Sequence, residues 1–127
     1  MRIIRVLGVM LTFFSVACHS SWAASPAGHL VIIGGALRSD NAEIGNRIVE
    51  LAGGKGARIA IIPAAAAEPE KAAQAIVTYL KAYGADPFVV PISVRMKDRD
   101  PMAEAQNAAT AESIRQAGGV FLWAAIK

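Results

Sequence analysis

Three consecutive small residues, Gly34-Gly35-Ala36, are the first place in this chain where chemistry could be done. They follow the apolar run His29-Leu30-Val31-Ile32-Ile33 and precede a segment of helical pattern. Bare backbone N–H groups at the carboxyl end of a strand can begin an oxyanion hole or a carboxylate clamp. Gly34, Gly35 and Ala36 are therefore the candidate substrate-binding residues, acting through the main chain. A plain tight turn is the competing reading. A dinucleotide site is excluded because Leu37, Arg38 and Ser39 stand where G-x-G-x-x-G needs its later glycines. The chain also has no G-x-x-x-x-G-K-[ST] phosphate loop; Gly53-Gly54-Lys55-Gly56 follows a helical segment and reads as a return turn.

The side chains offer less. His29 stands at the amino end of its apolar run, at the wrong edge of a parallel sheet for a site. Ser39 reads as a helix cap, and Ser93 and Ser113 lie in no G-x-S-x-G elbow. Glu43, Glu50, Glu68, Glu70, Glu104 and Glu112 fit outer helix faces or first turns. No spacing of His, Cys or carboxylates suits a metal, so neither metal nor cofactor is expected. The single cysteine, Cys18, lies in the amino-terminal apolar segment. No residue of the chain is assigned as catalytic.

The elements that would position these residues alternate in kind. A continuous β-branched run closed by glycines, His29 to Ile33, predicts a strand buried on both faces. Ser39 or Asp40 can cap a helix over about 41–52, with Ile44, Ile48 and Leu51 on one apolar face and Gly53-Gly54 as its stop. Arg58 to Ile62 is the second strand. Pro69 opens a helix to about Tyr83, with Ala72, Ala75, Ile76, Leu80 and Tyr83 inward. Pro87 to Ile92 is the third strand. Arg95 to Asp100 alternates in charge, either as an anion-binding loop or as a solvated connector. Ala103 to Gln116 predicts one helix, and Gly118-Gly119 precede a fourth strand ending at Leu122. This βαβαβαβ order predicts an α/β fold, a partial doubly wound parallel sheet with right-handed connections.

The amino terminus reads as an export signal occupying 1–23, with the α/β domain over 24–127. Arg2 and Arg5 form a basic n-region, and Val6 to Ala17 is an apolar run too short for a membrane span of about 20 residues. Ser21-Trp22-Ala23 would permit cleavage before Ala24, giving an exported, periplasmic or secreted protein. Alternatively, Ser15-Val16-Ala17-Cys18 resembles a lipobox, with Cys18 lipidated, although Ser15 stands where that motif prefers Leu. Loss of Arg2 and Arg5 moves the net charge of +3 towards neutrality. No basic patch interleaved with aromatics is present, so no nucleic-acid partner is expected.

Taken as a set, Gly28 to Leu37, Ile48-Val49-Glu50-Leu51-Ala52-Gly53-Gly54 and Ala57 to Ala65 resemble the amino-terminal part of a cyanophycinase. Tyr83-Gly84-Ala85-Asp86 and Ala117-Gly118-Gly119-Val120-Phe121 fit the same pattern. The likeness covers about 28–122. It implies a dipeptidase-E-like serine exopeptidase with a class I glutamine-amidotransferase-like fold, hydrolysing cyanophycin to β-Asp-Arg dipeptides. The family's serine, histidine and acidic partner lie beyond the matched stretch. Only Gly34, Gly35 and Ala36 map near the family's site.

The chain departs from the family where Leu122-Trp123-Ala124-Ala125-Ile126-Lys127 replaces a Thr-Gly-Gly-Asp-Gln continuation. The expectation is a frameshifted or truncated product, inactive alone, whose partner would be cyanophycin or an acidic peptide if complemented. Ala64 stands where the family often has Thr, and Gly45 where it often has a bulky aromatic; glycine in mid-helix costs about 1 kcal/mol relative to alanine. A fourth strand left uncovered predicts self-association through its edge. The alternative function is an exported half-domain that binds a small ligand or pairs by its strand edge, without catalysis.

Overall fold

A computed structural model describes residues 28–34 and 37–123. The signal-like segment with Cys18, the pair Gly35-Ala36, and the terminal residues 124–127 lie outside the described residues. Within them the chain runs α1 (Ala42–Leu51), β1 (Arg58–Ile62), α2 (Pro69–Ala82), β2 (Asp86–Val89), α3 (Pro101–Ala105), α4 (Ala108–Arg115) and β3 (Gly119–Leu122). The strands form one open, all-parallel sheet in the order β2-β1-β3. The architecture is mixed α/β.

β1 is the centre of the molecule. Arg58 pairs with Asp86 on one side, and Ile59 with Gly119 on the other. Ile59, Ala60 and Ile61 are buried, as expected of a strand with neighbours at both edges and side chains on both faces. Ile59 and Ile61 meet Ala73, Ile76, Val77, Tyr79 and Leu80 of α2 in the core, with Phe121 against its margin. Full burial of a side chain such as Leu80 or Ile61 contributes about 1.5–3 kcal/mol. At the sheet's other edge the Arg58 guanidinium lies 4.6 Å from the centre of the Phe88 ring.

The helices end as their sequences dictate. Gly53 and Gly54 have φ of 116° and 90°, and their N–H groups donate to Glu50 and Val49 carbonyls at 3.1 and 2.8 Å. That pair of bonds closes α1 as a Schellman turn. The start of α1 differs from expectation. Asn41, not Ser39 or Asp40, is the cap, its Oδ1 accepting from Ile44 N at 3.1 Å. Asp40 is instead engaged by the Arg38 guanidinium at 2.8 and 3.0 Å.

Four further expectations are corrected. His29–Ile33 forms no strand: both edges of β1 are taken by β2 and β3, and Leu30 and Ile32 are 85% and 84% exposed. The face of α2 is rotated, with Ala73, Val77 and Tyr79 buried beside Ile76 and Leu80 while Ala75 is exposed. The third strand stops at Val89, short of Ile92. The helix expected over Ala103–Gln116 is two helices, because Asn107 Oδ1 accepts from Ala109 N at 2.9 Å and restarts the chain as α4.

Gly45 is buried on α1 under the Tyr83 ring; a Cβ there would lie 2.8 Å from Tyr83 Cγ and closer still to the ring edge. Its absent side chain lets α1 and α2 meet, so alanine does not improve this position. Tyr83 stacks edge-on with Tyr79 at 5.0 Å between ring centres, and the Tyr79 hydroxyl donates to Asn41 O at 2.9 Å. Gly118 plays a similar part at the other end of α1, where a Cβ would overlap the Ala52 carbonyl oxygen.

Candidate functional site

In a parallel sheet ligands gather beyond the carboxyl ends of the strands. Here that edge carries the turn after β1 (residues 63–68), the loop after β2 (residues 90–100) and Trp123 after β3. The three are tied together by main-chain groups. Ala65 N donates to Trp123 O at 3.2 Å, Trp123 N to Ile62 O at 3.0 Å, and Val90 N to Ile61 O at 2.8 Å.

Ser93 splints two of these loops. It is only 2% exposed. Its hydroxyl donates to Ala64 O and accepts from Arg95 N, both at 3.3 Å. A nucleophilic serine needs a base to take its proton. The Ser93 proton is already directed at a carbonyl oxygen, so its geometry is that of a structural hydroxyl. Ala64 contributes its carbonyl to this bond.

The charged stretch from Arg95 to Asp100 behaves as an exposed connector. Arg95 Nη1 donates to Ala66 O at 3.5 Å, and Lys97 N to Glu70 Oε1 at 3.3 Å. Asp98 has a φ of 58°, and Asp100 Oδ1 caps α3 by accepting from Met102 N at 2.9 Å. Glu70 and Asp100 are thus engaged in local structure, and no ion-binding cluster of His, Cys, Asp or Glu exists among the described residues. The remaining glutamates lie on or at the ends of helices as the sequence predicts: Glu50 pairs with Arg47 at 2.8 Å, Glu68 with Lys71 at 3.3 Å and Glu112 with Arg115 at 3.2 Å, all exposed. Glu104 accepts a hydrogen bond from the Thr110 hydroxyl between α3 and α4.

Of the sequence-derived binding candidates, Gly34 alone lies among the described residues. Gly34 is exposed, with no heavy atom within 4 Å of the place its Cβ would occupy. Gly35, Ala36 and Cys18 lie outside the described residues. His29 is exposed and lines a cleft with Gly118 and Gly119 at the start of β3, towards the amino edge of the sheet. This cleft, of about 300 Å³, runs between residues 28–33, the α1 side chains Ile48 and Leu51, and Phe121 of β3. Its wall is largely apolar and offers no acid–base pair.

Sequence reasoning passed over Ser93 because it sought an elbow motif. The signal was a lone serine inside Pro91-Ile92-Ser93-Val94, where an apolar setting forecasts burial and hence a hydrogen-bonded hydroxyl. No helix among the described residues is long and apolar enough to cross a membrane. The chain matches no protein-family model, no curated protein and no solved structure.

Proposed function

We propose that this chain supplies the amino-terminal sheet of a cyanophycinase-like serine exopeptidase with a glutamine-amidotransferase-like fold, and that it holds substrate without cleaving it. The observation that carries the reading is the convergence of the Ala64–Ala67 turn, the Ser93 loop and Trp123 at one carboxyl edge of a parallel sheet. The Arg95 guanidinium at that edge supplies a positive charge suited to the carboxylates of an acidic peptide. The segment over residues 1–23 acts as the export signal, with Cys18 lipidation as the other route to the same side of the membrane.

The test is a titration of the isotope-labelled full chain with β-Asp-Arg dipeptide and with cyanophycin, followed by amide shifts and by dipeptide release. Shifts confined to Ala64–Ala67, Ser93–Arg95 and Trp123, with no release, are expected. Release of β-Asp-Arg by the chain alone, or no shift at millimolar ligand, overturns the proposal.

One observation favours a second reading, self-association by strand addition. β3 is an edge strand, and its Val120 and Leu122 are 49% and 66% exposed. Exposed apolar edges are templates for pairing. Light scattering that gives a monomer mass at working concentration discards this reading.

A further inference from the structure

Several apolar side chains left at the surface lie together. Leu30 and Ile32 are 85% and 84% exposed, and Val31, Val120 and Leu122 are exposed as well. Leu30, Val31 and Val120 border one cleft, between residues 28–33, α1 and β3. A contiguous apolar patch of more than a few hundred Å² marks an interaction surface.

The cleft and its rim have matching forms. The cleft holds about 300 Å³. That is about twice the roughly 150 Å³ that admits one benzene-sized group. Ile48, Leu51, Ile59 and Phe121 form much of its wall, and no Asp, Glu, Lys or Arg lines it. It has room for two aliphatic side chains and carries no fixed charge to oppose them. Leu30 and Ile32, beside it, are two such side chains, and at their exposure neither fills it. The stripe Ile44, Ile48 and Leu51 on α1 is accordingly only half-buried.

A projection next to a hole on one surface is self-complementary under a two-fold axis. Each copy offers its projection to the hole of the other, and both contacts form at once. The area is of the right order. Burying an aliphatic side chain removes roughly 100 Å² from water. At their exposures, Leu30, Val31, Ile32, Val120 and Leu122 present roughly 300 Å², to which the cleft wall adds. A standard interface takes about 800 Å² from each partner, a little over half of it apolar. The patch supplies most of that apolar share.

We infer that the occupant of this cleft is a second copy of the chain, with Leu30 and Ile32 of each copy seated against Ile48, Leu51 and Phe121 of the other. The contact is isologous, so association closes at two chains. It is made by side chains and needs no hydrogen-bond ladder. It is therefore independent both of strand addition at β3 and of any peptidase reading.

The full chain tests it. Light scattering at rising concentration should reach a plateau at the mass of two chains. In a mixture of isotope-labelled and unlabelled chains, filtered nuclear magnetic resonance spectra should show contacts from the Leu30 and Ile32 methyls of one copy to the Ile48 and Leu51 methyls of the other. The double variant Leu30→Asp, Ile32→Asp should raise the dimer dissociation constant by about 100-fold or more, since each carboxylate occurs twice and would be buried unpaired. Both positions are exposed in the single chain, and slow amide exchange at Ile59–Ile61 verifies that the variant is folded. The contacts in the parent chain decide the matter without any substitution. A monomer mass up to millimolar concentration overturns the inference, and so does growth beyond two chains. It is equally overturned if the intermolecular contacts run only between β3 and β3, if residues 6–17 are found in the cleft, or if the folded double variant keeps the parent's dissociation constant.

Discussion

Replacing Gly45 by alanine separates helix propensity from packing, because the two act in opposite directions at this residue. Propensity alone makes Gly45→Ala stabilising by about 1 kcal/mol. Packing opposes it. The new methyl would lie 2.8 Å from Tyr83 Cγ, well inside contact distance, and closer to the ring edge. Cγ is the root of the ring, so the side chain cannot swing aside without leaving its place. That place is defined at both ends, by the Tyr83 hydroxyl donating to Ser39 O at 3.3 Å and by the Tyr79 ring 5.0 Å away. Inserting a methylene-sized group into such a contact costs about 1–3 kcal/mol. Gly45→Ala is therefore expected to be neutral to destabilising, by a net of about 0–2 kcal/mol, against the gain that propensity forecasts.

A double-mutant cycle with Tyr83→Ala isolates the clash. Tyr83→Ala lowers stability by itself, since it removes a half-buried ring. In that background the methyl meets no ring, and Gly45→Ala should raise stability by about 1 kcal/mol. The sign of one substitution thus reverses with the residue at 83. Urea unfolding followed by circular dichroism at 222 nm reads both effects as midpoint shifts, provided the slope is constant. Additivity within about 0.5 kcal/mol would refute the packing argument.

Gly118→Ala should lower stability by about 1–3 kcal/mol, because its methyl would strike the Ala52 carbonyl, a main-chain atom that cannot rotate away; a urea midpoint equal to the parent's would contradict this. Burial first, and then the charge of the neighbouring Tyr83, raise the Tyr79 phenol above its ordinary 10.0. Its contribution is whole below about pH 10, where unfolded tyrosine begins to ionise, and is lost as pH rises through the higher folded value. Thermal melts of Tyr79→Phe should therefore show a shallower alkaline decline and, at neutral pH, a loss of about 1 kcal/mol for the hydrogen bond to Asn41 O. Finally, α3 and α4 bury no residue fully, so their amides should exchange well before those of Ile59–Ile61 in β1; equal protection in hydrogen-exchange mass spectrometry would count against the described packing.

Much of this fold is legible from residue types because local signals and tertiary packing agree. Arg58–Ile62 is β-branched and bounded by Ala57 and Pro63, and it forms the strand at the sheet's centre. Gly53 and Gly54 adopt the positive φ that their position after α1 foretold. Misreadings arise where two local signals compete. Ser39, Asp40 and Asn41 can each cap a helix, and the choice falls to Asn41 because Arg38 holds the Asp40 carboxylate. Asp100 and Asn107 both cap, so one alanine-rich stretch becomes two short helices. The largest discrepancy, the run from His29 to Ile33, is not local. Its residues favour a strand, but a strand exists only with a free edge to pair with, and composition does not reveal who occupies that edge.

The candidate site was less legible for a chemical reason. What converges at the carboxyl edge of the sheet is backbone: the carbonyls of Ala64 and Ala66, the N–H of Ala65, and Trp123 O. A search for catalytic side chains passes over alanines, since they carry no functional group. Their smallness still matters, because a short turn of small residues lets three loops approach within hydrogen-bond distance. The polar side chains nearby, Ser93 and Arg95, spend hydrogen bonds on those carbonyls. The main-chain groups at this edge are thus largely occupied with one another and with these two side chains. Bond cleavage at this edge would require a nucleophile and a base that the described residues do not bring together.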